Sequence, residues 1–128
     1  MSPTLPRPTD AELEILRVLW EQGPSTVRQV HEALAGIRDT GYTTTLKLMQ
    51  IMADKGLVTR DESSRTHVYE PRASQEHTQR QLLSDLVDRA FGGSAAELVM
   101  RALSTQKTSD QELREIRRLL DEAREDQR

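Results

Sequence analysis

The sequence predicts a mainly α-helical chain with a small β-hairpin, in which three short helices and the hairpin come first and three further helices follow. Apolar residues recur at spacings of three and four along most of the chain, which is typical of amphipathic helices. Between residues 57 and 70 the period changes to two, which is typical of strands. Aromatic residues are only 3% of the 128 residues, and an aliphatic core suits helices better than a β-sandwich.

The first helix is bounded clearly. Residues 1–8 contain three prolines and are expected to form an irregular arm. Thr9 and Glu12 have the spacing of a capping box, in which each side chain accepts from the backbone amide of the other residue. Gly23-Pro24 should end this helix. We expect Trp20, on its apolar face, to lie in the core.

The second and third helices follow after short breaks. Ser25 is expected to cap the second helix. The third should run from about Thr43 to Lys55, ended by Gly56 in the C-cap position. The inward sides of these helices are predicted to carry Val27, Val30, His31 and Leu34, and then Leu48, Met49 and Met52.

A β-hairpin is predicted next. Residues 57–60 and 66–70 are β-prone, residues 61–65 form a polar turn, and Pro71 closes the second strand. Three helices followed by a hairpin is the order of a winged helix-turn-helix, in which the hairpin is the wing. We therefore assign residues 1–72 to a winged-helix DNA-binding domain.

Residues 73–128 are predicted to form three amphipathic helices. The first should begin near Ser74 and end at Gly92-Gly93, and capping boxes at Ser94–Glu97 and Ser109–Glu112 should open the other two. Helices of this length do not readily form a core alone, so their apolar stripes need a partner. We interpret them as a dimerisation domain, whose expected contacts are Leu82, Leu86, Phe91, Leu98, Val99, Leu103, Leu113, Ile116 and Leu120. The alternative is that they fold back onto their own N-terminal domain.

The third helix is the candidate for reading DNA. If its inward stripe is buried, its outward face carries Thr43, Thr44, Leu46, Lys47 and Gln50. A recognition helix places its N-terminal residues nearest the bases. Threonine can bond a base or a phosphate, glutamine suits adenine, lysine suits guanine or phosphate, and a leucine can touch a thymine methyl. The alternative is an ordinary polar helix face.

Neighbouring residues could contact the DNA backbone. Arg60 and Arg65 flank the predicted turn, with Ser63 and Ser64 between them, so a wing could straddle the backbone and neutralise phosphates. Asp61 and Glu62 would weaken that effect, and a charged hairpin tip can also simply be solvated. Two further candidates each have a local alternative: Arg38 could pair with Asp39, and Tyr42 could pack against the domain.

The overall charge does not favour nucleic acid. The net charge is −3, and residues 1–72 carry nine basic against ten acidic side chains. The DNA interpretation therefore depends on local arrangement. A winged helix that serves as a protein-docking module without DNA binding is the alternative function, which the acidic charge favours.

Several other functions find no support in the residues. The chain has no cysteine, which removes disulfides, thiolate metal sites and cysteine nucleophiles. The three histidines are far apart, no catalytic set or phosphate loop is recognisable, and so we predict neither an enzyme, a metal site nor a cofactor. No apolar run is long enough for a membrane span and no secretory signal is visible, so we expect a cytoplasmic protein without a membrane partner.

Two segments resemble a known family. The stretches ELEILRVLWEQGPSTVRQVHEAL and YTTTLKLMQIMADKGLVTRDESSRTHVYEP are similar to the penicillinase repressor family, also called the BlaI/MecI/CopY type. The resemblance extends from about Thr9 to Leu120, and it includes the FGGS break at Phe91–Ser94 and the ELVMRAL segment after it. The helix-to-wing segment is the more specific part of the match.

The resemblance implies a dimeric repressor that places one winged helix on each half of a palindromic operator. It carries DNA contact onto Thr43, Thr44 and Lys47 and onto the wing at Arg60–Arg65. In antibiotic-responsive members, a membrane sensor and metalloprotease system leads to cleavage at an Asn–Phe bond. Here Arg101–Ala102 aligns with that bond, so the same cleavage is not expected. The cysteine cluster of copper-responsive members is absent too. An unidentified sensor or protease is left open as a partner, besides double-stranded DNA and a second copy of the chain.

Overall fold

The computed structural model describes residues 7–127. Two compact units divide between Leu83 and Ser84. Residues 1–6 of the predicted N-terminal arm, and Arg128, lie outside the described residues. The helices are α1 (Asp10–Gln22), α2 (Val27–Leu34), α3 (Tyr42–Lys55), α4 (Gln75–Ala90), α5 (Ala95–Thr105) and α6 (Asp110–Asp126), and the strands are β1 (Val58–Asp61) and β2 (Val68–Pro71).

The order of elements in the first unit confirms the predicted winged helix-turn-helix. Three helices precede an antiparallel hairpin in which Arg60 lies opposite Tyr69. The core between them is aliphatic except for Tyr69, and its most buried members come from all five elements: Ile15, Leu16, Leu19, Val30, Met49, Met52, Val58 and Tyr69. This core fixes α3 and the wing relative to each other.

The start of α2 differs from the prediction. Thr26, not Ser25, is the N-cap, and it forms a complete capping box with Gln29. Ser25 instead makes a one-residue bridge to Tyr69: its amide donates to the Tyr69 carbonyl at 3.0 Å, and its carbonyl accepts from the Tyr69 amide at 2.8 Å. Ser25 therefore adds a third, very short strand beside the hairpin. Its backbone groups are used in this strand and not in the cap of α2.

The hairpin is slightly displaced from its predicted position. Leu57, expected in the first strand, donates its amide to the Met52 carbonyl at 2.9 Å. That bond closes the end of α3 around Gly56, which has a left-handed backbone with φ of +84°. Such a closure is a common helix ending. Strand β1 consequently begins one residue later, at Val58.

Trp20 is half-buried, not fully in the core. It packs against the core cluster, and its indole Nε1 donates to the Ala73 carbonyl at 3.0 Å. An indole N–H that leaves water needs such an acceptor. The bond ties α1 to the residue before Ser74, whose hydroxyl accepts from the His77 amide as predicted for the beginning of α4.

The two compact units divide inside α4. Thr78 is buried, and residues of α4 up to Leu83 belong to the first unit. The predicted functional division, with DNA binding before residue 73 and dimerisation after it, stays a prediction.

The second unit contains the end of α4, then α5 and α6. Gly92 and Gly93 both have positive φ and break the chain between α4 and α5. Ser109 forms the expected full capping box with Glu112. Ser94 accepts from the Glu97 amide, but the reciprocal bond is missing because the Ser94 amide already donates to the Phe91 carbonyl. Neither α5 nor α6 buries any side chain among the described residues.

Candidate nucleic-acid interface

Helix α3 presents a polar face outward. Thr45, Met49 and Met52 are its buried residues, and Leu48 packs against the core with them. Thr45 was missed as an inward residue because a threonine does not stand out in an apolar stripe. The outward residues Thr43, Thr44, Lys47 and Gln50 are all exposed.

Leu46 departs from the predicted outward face. It is half-buried and packs against the core, since it lies on the flank of α3 that faces α2 and the wing. Its side chain also lines the groove described below. Leu46 can therefore present only part of its side chain to a ligand.

An ion pair between the buried Glu12 and the exposed Lys55 fixes the far end of α3. The Lys55 Nζ atom lies 2.9 and 3.1 Å from the two carboxylate oxygens of Glu12 on α1, and the Thr9 amide donates to the same carboxylate at 2.9 Å. Burial alone would raise the pKa of Glu12, but the hydrogen bonds from Thr9 and Lys55 lower it below its usual value. Glu12 therefore stays ionised and holds α3 against α1.

Strand alternation only partly separates the charges of the wing. The register pairs Arg60 with Tyr69 on one side of the hairpin and Asp61 with Val68 on the other, but Arg60, Asp61 and Glu70 all line a second depression beside the hairpin. Successive residues of a strand point to opposite faces. Of the two acidic residues expected to weaken the wing, Asp61 thus points to the face opposite Tyr69, although it still shares a depression with Arg60.

Glu62, the other acidic residue expected to weaken the wing, pairs with Arg60. The two side chains lie 2.6 Å apart, and hydrogen bonding with Tyr69, followed by Glu62, raises the pKa of Arg60. The tip itself is held by local bonds: the Asp61 carboxylate accepts the Ser63 amide and the Ser64 hydroxyl donates to the Thr66 carbonyl. The first of these bonds lowers the pKa of Asp61.

A groove of about 500 Å³ lies between the beginning of α2, the outer side of α3 and the wing. Three arginines line it: Arg28 from α2, Arg60 from β1 and Arg65 from the turn. His67 also lines it, and the lining includes no carboxylate side chain. The groove is therefore a locally basic surface on a chain whose net charge is −3.

Arg28 is a residue of this groove that the sequence did not single out. Its guanidinium carbon lies 5.4 Å from the centre of the Tyr42 ring, and His31 meets the same ring edge-on with 5.9 Å between ring centres. These residues come from two helices whose contact only the tertiary fold creates. The sequence does show a basic residue in the first turn of α2. No residue close to it in the sequence indicates that it would contact Tyr42.

Arg38, a candidate phosphate contact, is paired, but not with Asp39, the local alternative. Its guanidinium binds Glu14 of α1 through two nitrogen atoms, at 3.0 and 3.1 Å. The pairing is thus across the fold and not with the adjacent Asp39. The arginine remains 46% exposed in its side chain, so a phosphate would have to share it with Glu14.

The expected dimer contacts lie on surfaces that are open in the single chain. Leu86, Val99, Leu103, Leu113 and Leu120 are exposed, and Leu82, Phe91, Leu98 and Ile116 are half-buried. A cleft of about 680 Å³ between the end of α4 and α5 is lined by Phe91, Met100 and Arg101, among others. Arg101–Ala102, the bond in question for proteolysis, lies within α5.

Residues 7–127 contain neither a cluster of metal-ligating side chains nor a membrane-spanning helix. This range contains no group of three or more histidine, aspartate or glutamate side chains placed to hold a metal ion. None of its helices has both the length and the apolarity needed to cross a membrane.

The fold defines the class of this molecule as a winged-helix protein with a helical C-terminal segment. The sequence model of the penicillinase repressor family matches residues 8–122 of this chain. The chain belongs to the penicillinase repressor family.

Curated relatives have names of the same kind. The chain is 38% identical over 98 residues to the transcriptional regulator BlaI of Mycobacterium tuberculosis, a match that covers 74% of this chain and 71% of that protein. It is 22% identical over 118 residues to the penicillinase repressor of Bacillus licheniformis, covering 92% of each.

Solved structures agree on the fold of the N-terminal part. The solution structure of the DNA-binding domain of the repressor BlaI matches with a TM-score of 0.51 and 23% identity, covering 58% of this chain and 90% of that one. The monomeric form of Bacillus licheniformis BlaI in complex with the blaP half-operator matches with a TM-score of 0.50 and 23% identity, covering 57% and 89%. These likenesses confirm the winged-helix fold.

Proposed function

We propose that this chain is a sequence-specific DNA-binding transcriptional repressor that acts as a homodimer on a palindromic operator. The observation that carries the proposal is the exposed polar face of α3 beside a groove lined by three arginines and no carboxylate. A phosphate backbone is attracted to such local charge even where the whole protein is weakly acidic.

In this proposal α3 enters the major groove with its N-terminal turns nearest the bases. Thr43, Thr44, Lys47 and Gln50 are the side chains that can bond to base edges, because all four are exposed. Leu46 would touch a thymine methyl only with its uncovered part. The wing residues Arg60, Ser63, Ser64 and Arg65 would contact the backbone, which positions the protein but reads no sequence.

The homodimer is supported by the apolar surface of the second unit. Large side chains of α5 and α6 are exposed in the single chain, among them Met100 at 62% and Leu120 at 52%. Several large apolar side chains exposed on the same two helices are typical of a surface that another protein covers. A second copy would cover it and would bring two winged helices onto one operator, and a two-fold symmetric protein requires a two-fold symmetric site.

The names of the relatives support the same function. The relatives are called a transcriptional regulator and a penicillinase repressor, and one structural neighbour was solved with a half-operator. For this chain we carry over DNA binding and repression, in the cytoplasm where the operator is accessible.

Cleavage at the family's Asn–Phe bond does not explain how this chain would be released from its operator. Arg101–Ala102 occupies the matching position, and the chain has no cysteine for copper. We propose that an unidentified sensor or protease supplies the signal.

Selection of bound sequences from a pool of random duplexes tests the proposed function. A repressor should enrich a palindrome whose half-sites lie one helical turn, or a multiple of it, apart. Footprinting of the upstream region of its own gene should then protect such a site. A pool that gains no consensus after repeated selection would instead support the docking-module alternative, which the net charge of −3 favours.

A further inference from the structure

We infer that Arg28, held on the ring of Tyr42, is a phosphate clamp that fixes the register of α3 on DNA without reading sequence. This inference rests on the proposed DNA-binding function and deepens it. Arg28 lies on α2, outside the outward face of α3 and outside the turn of the wing, and lines the groove together with Tyr42.

The position of Arg28 suits a backbone contact. Its guanidinium carbon is 5.4 Å from the centre of the Tyr42 ring, and the first residue of α3 is Tyr42 itself. A cation held on this ring lies beside the N-terminal turn of α3, where the recognition residues Thr43 and Lys47 follow. A phosphate bound by Arg28 would therefore set how far that turn enters the major groove.

The charge of Arg28 is available to a ligand. Within the range 7–127, Arg28 forms no ion pair, whereas Arg60 is paired with Glu62 and Arg38 with Glu14. Arginine stacks on an aromatic face through the plane of its guanidinium and leaves its edge N–H groups free. The contact with the ring thus orients the cation without using the donors that a phosphate needs.

Tyr42 is a positioning residue in this inference. It is 40% exposed, yet its ring is held on two sides, by Arg28 over the ring and by His31 edge-on. The ring limits the rotamers of Arg28, so less side-chain entropy is lost when a phosphate binds.

Titrations with the full chain test the clamp. Fluorescence anisotropy would measure binding to an operator duplex and to a random duplex of the same length over a series of salt concentrations. Arg28→Ala should weaken binding to both duplexes by a similar factor of about ten per half-site. The log–log salt slope should fall by about 0.9 for each phosphate that the variant no longer neutralises, hence by about 2 for a dimer. Arg17→Ala, which removes an exposed arginine of α1 outside the groove, is the matched control and should keep the wild-type slope.

Variants of Tyr42 separate positioning from contact. Tyr42→Leu leaves the charge in place but removes the platform, so binding to both duplexes should weaken about two- to fivefold per half-site. Tyr42→Phe keeps the ring and should restore wild-type binding. Circular dichroism would verify that each variant is folded. Wild-type affinity in Tyr42→Leu would overturn the role of the ring.

Two results with Arg28→Ala would overturn the clamp: an unchanged salt slope, or a weakening confined to the operator, which would indicate base reading. Equal affinity of the wild type for operator and random DNA would contradict the proposed repressor instead. In that case the change in the salt slope of Arg28→Ala on random DNA would still show whether Arg28 binds a phosphate. No binding to either duplex would contradict both.

Discussion

The carboxylate of Glu12 lies at the junction of α1 and α3, and its residue is only 1% exposed. It accepts hydrogen bonds from the Thr9 amide and from Lys55. Removing one partner of a buried charged hydrogen bond leaves the other unsatisfied, which costs more than the net gain from the bond. The sequence predicted the bond to Thr9 as part of a capping box, but nothing in it indicated Lys55, 43 residues further on.

We predict that Glu12→Gln destabilises the first unit by about 1–3 kcal/mol at neutral pH. The variant keeps the shape of the side chain but loses the charge that Lys55 and the Thr9 amide bind. Urea unfolding followed by the fluorescence of Trp20 would measure the change. Glu76→Gln, which changes an exposed glutamate of α4 paired with Arg80, is the control and should stay within about 0.5 kcal/mol of wild type.

The same group predicts how stability depends on pH. The pKa of Glu12 in the folded chain lies below its usual value of 4.5, so its ionised form is favoured by folding. Its contribution is present above the unfolded-state pKa and is lost as the pH falls through the lower folded-state value. Unfolding midpoints of the wild type should therefore fall towards those of Glu12→Gln below about pH 4. A constant difference between the two proteins down to pH 2 would contradict this assignment.

Lys47 is the exposed cation of the outer α3 face. We predict that Lys47→Ala weakens operator binding by about 1–3 kcal/mol and leaves the dimer intact. Lys107→Ala, a change of the same type between α5 and α6, serves as the control. Mobility-shift titration would measure both, and equal affinities of the two variants would count against Lys47 as a recognition residue.

At the scale of elements, short-range capping signals were the most predictable part of the fold. The boxes at Thr9 and Ser109 are complete, because each needs only residues three positions apart. The sequence predicts Ser25 as the cap of α2, whereas Thr26 is the N-cap, and both are good N-caps locally. The backbone of Ser25 is instead paired with that of Tyr69 in β2, and Thr26 is left as the N-cap.

The end of α3 depends on Gly56. Its φ of +84° is a conformation that side chains disfavour, and an added Cβ would meet the Arg72 guanidinium at 3.4 Å. We predict that Gly56→Ala costs about 1 kcal/mol or more. Gly36→Ala is the matched control, because Gly36 has no positive φ and an added Cβ meets nothing within 4 Å. Chemical denaturation measures both, and equal stability of the two variants would contradict the strain at Gly56.

The candidate site was predictable only where one helix or one hairpin determines it. Helical period placed Thr43, Thr44, Lys47 and Gln50 outward, and all are exposed. The period could not show that Leu46 is partly covered or that Arg28 meets Tyr42. Those facts depend on how α2, α3 and the wing pack, which is set by residues distant in sequence.

At the scale of the whole molecule, the proposed homodimer depends most on the exposed apolar side chains of α6. Leu113, Ile116 and Leu120 follow at spacings of three and four, and the helix buries no side chain in the single chain. The sequence predicted the stripe and the need for a partner. Which surface covers the stripe stays a prediction, because periodicity describes one helix and not the surface that packs against it.

We predict that Ile116→Asp lowers dimer stability and, through it, operator affinity, since burying an unpaired carboxylate is costly. Sedimentation equilibrium should show a monomer at concentrations where the wild type is a dimer. Gln111→Asp adds the same charge to the polar side of α6, about 140° around the helix at about 100° per residue, and should remain dimeric. A fully dimeric Ile116→Asp would place the interface elsewhere.

The most direct test of the repressor account is a fluorescence-anisotropy titration of the wild-type protein against duplex DNA from upstream of its own gene, at about 0.1 M and about 0.3 M salt. The account predicts binding of two chains per site, preference for this DNA over random duplex, and a steep loss of affinity at the higher salt. Binding that is no tighter than to random DNA, or that ignores salt, would contradict it.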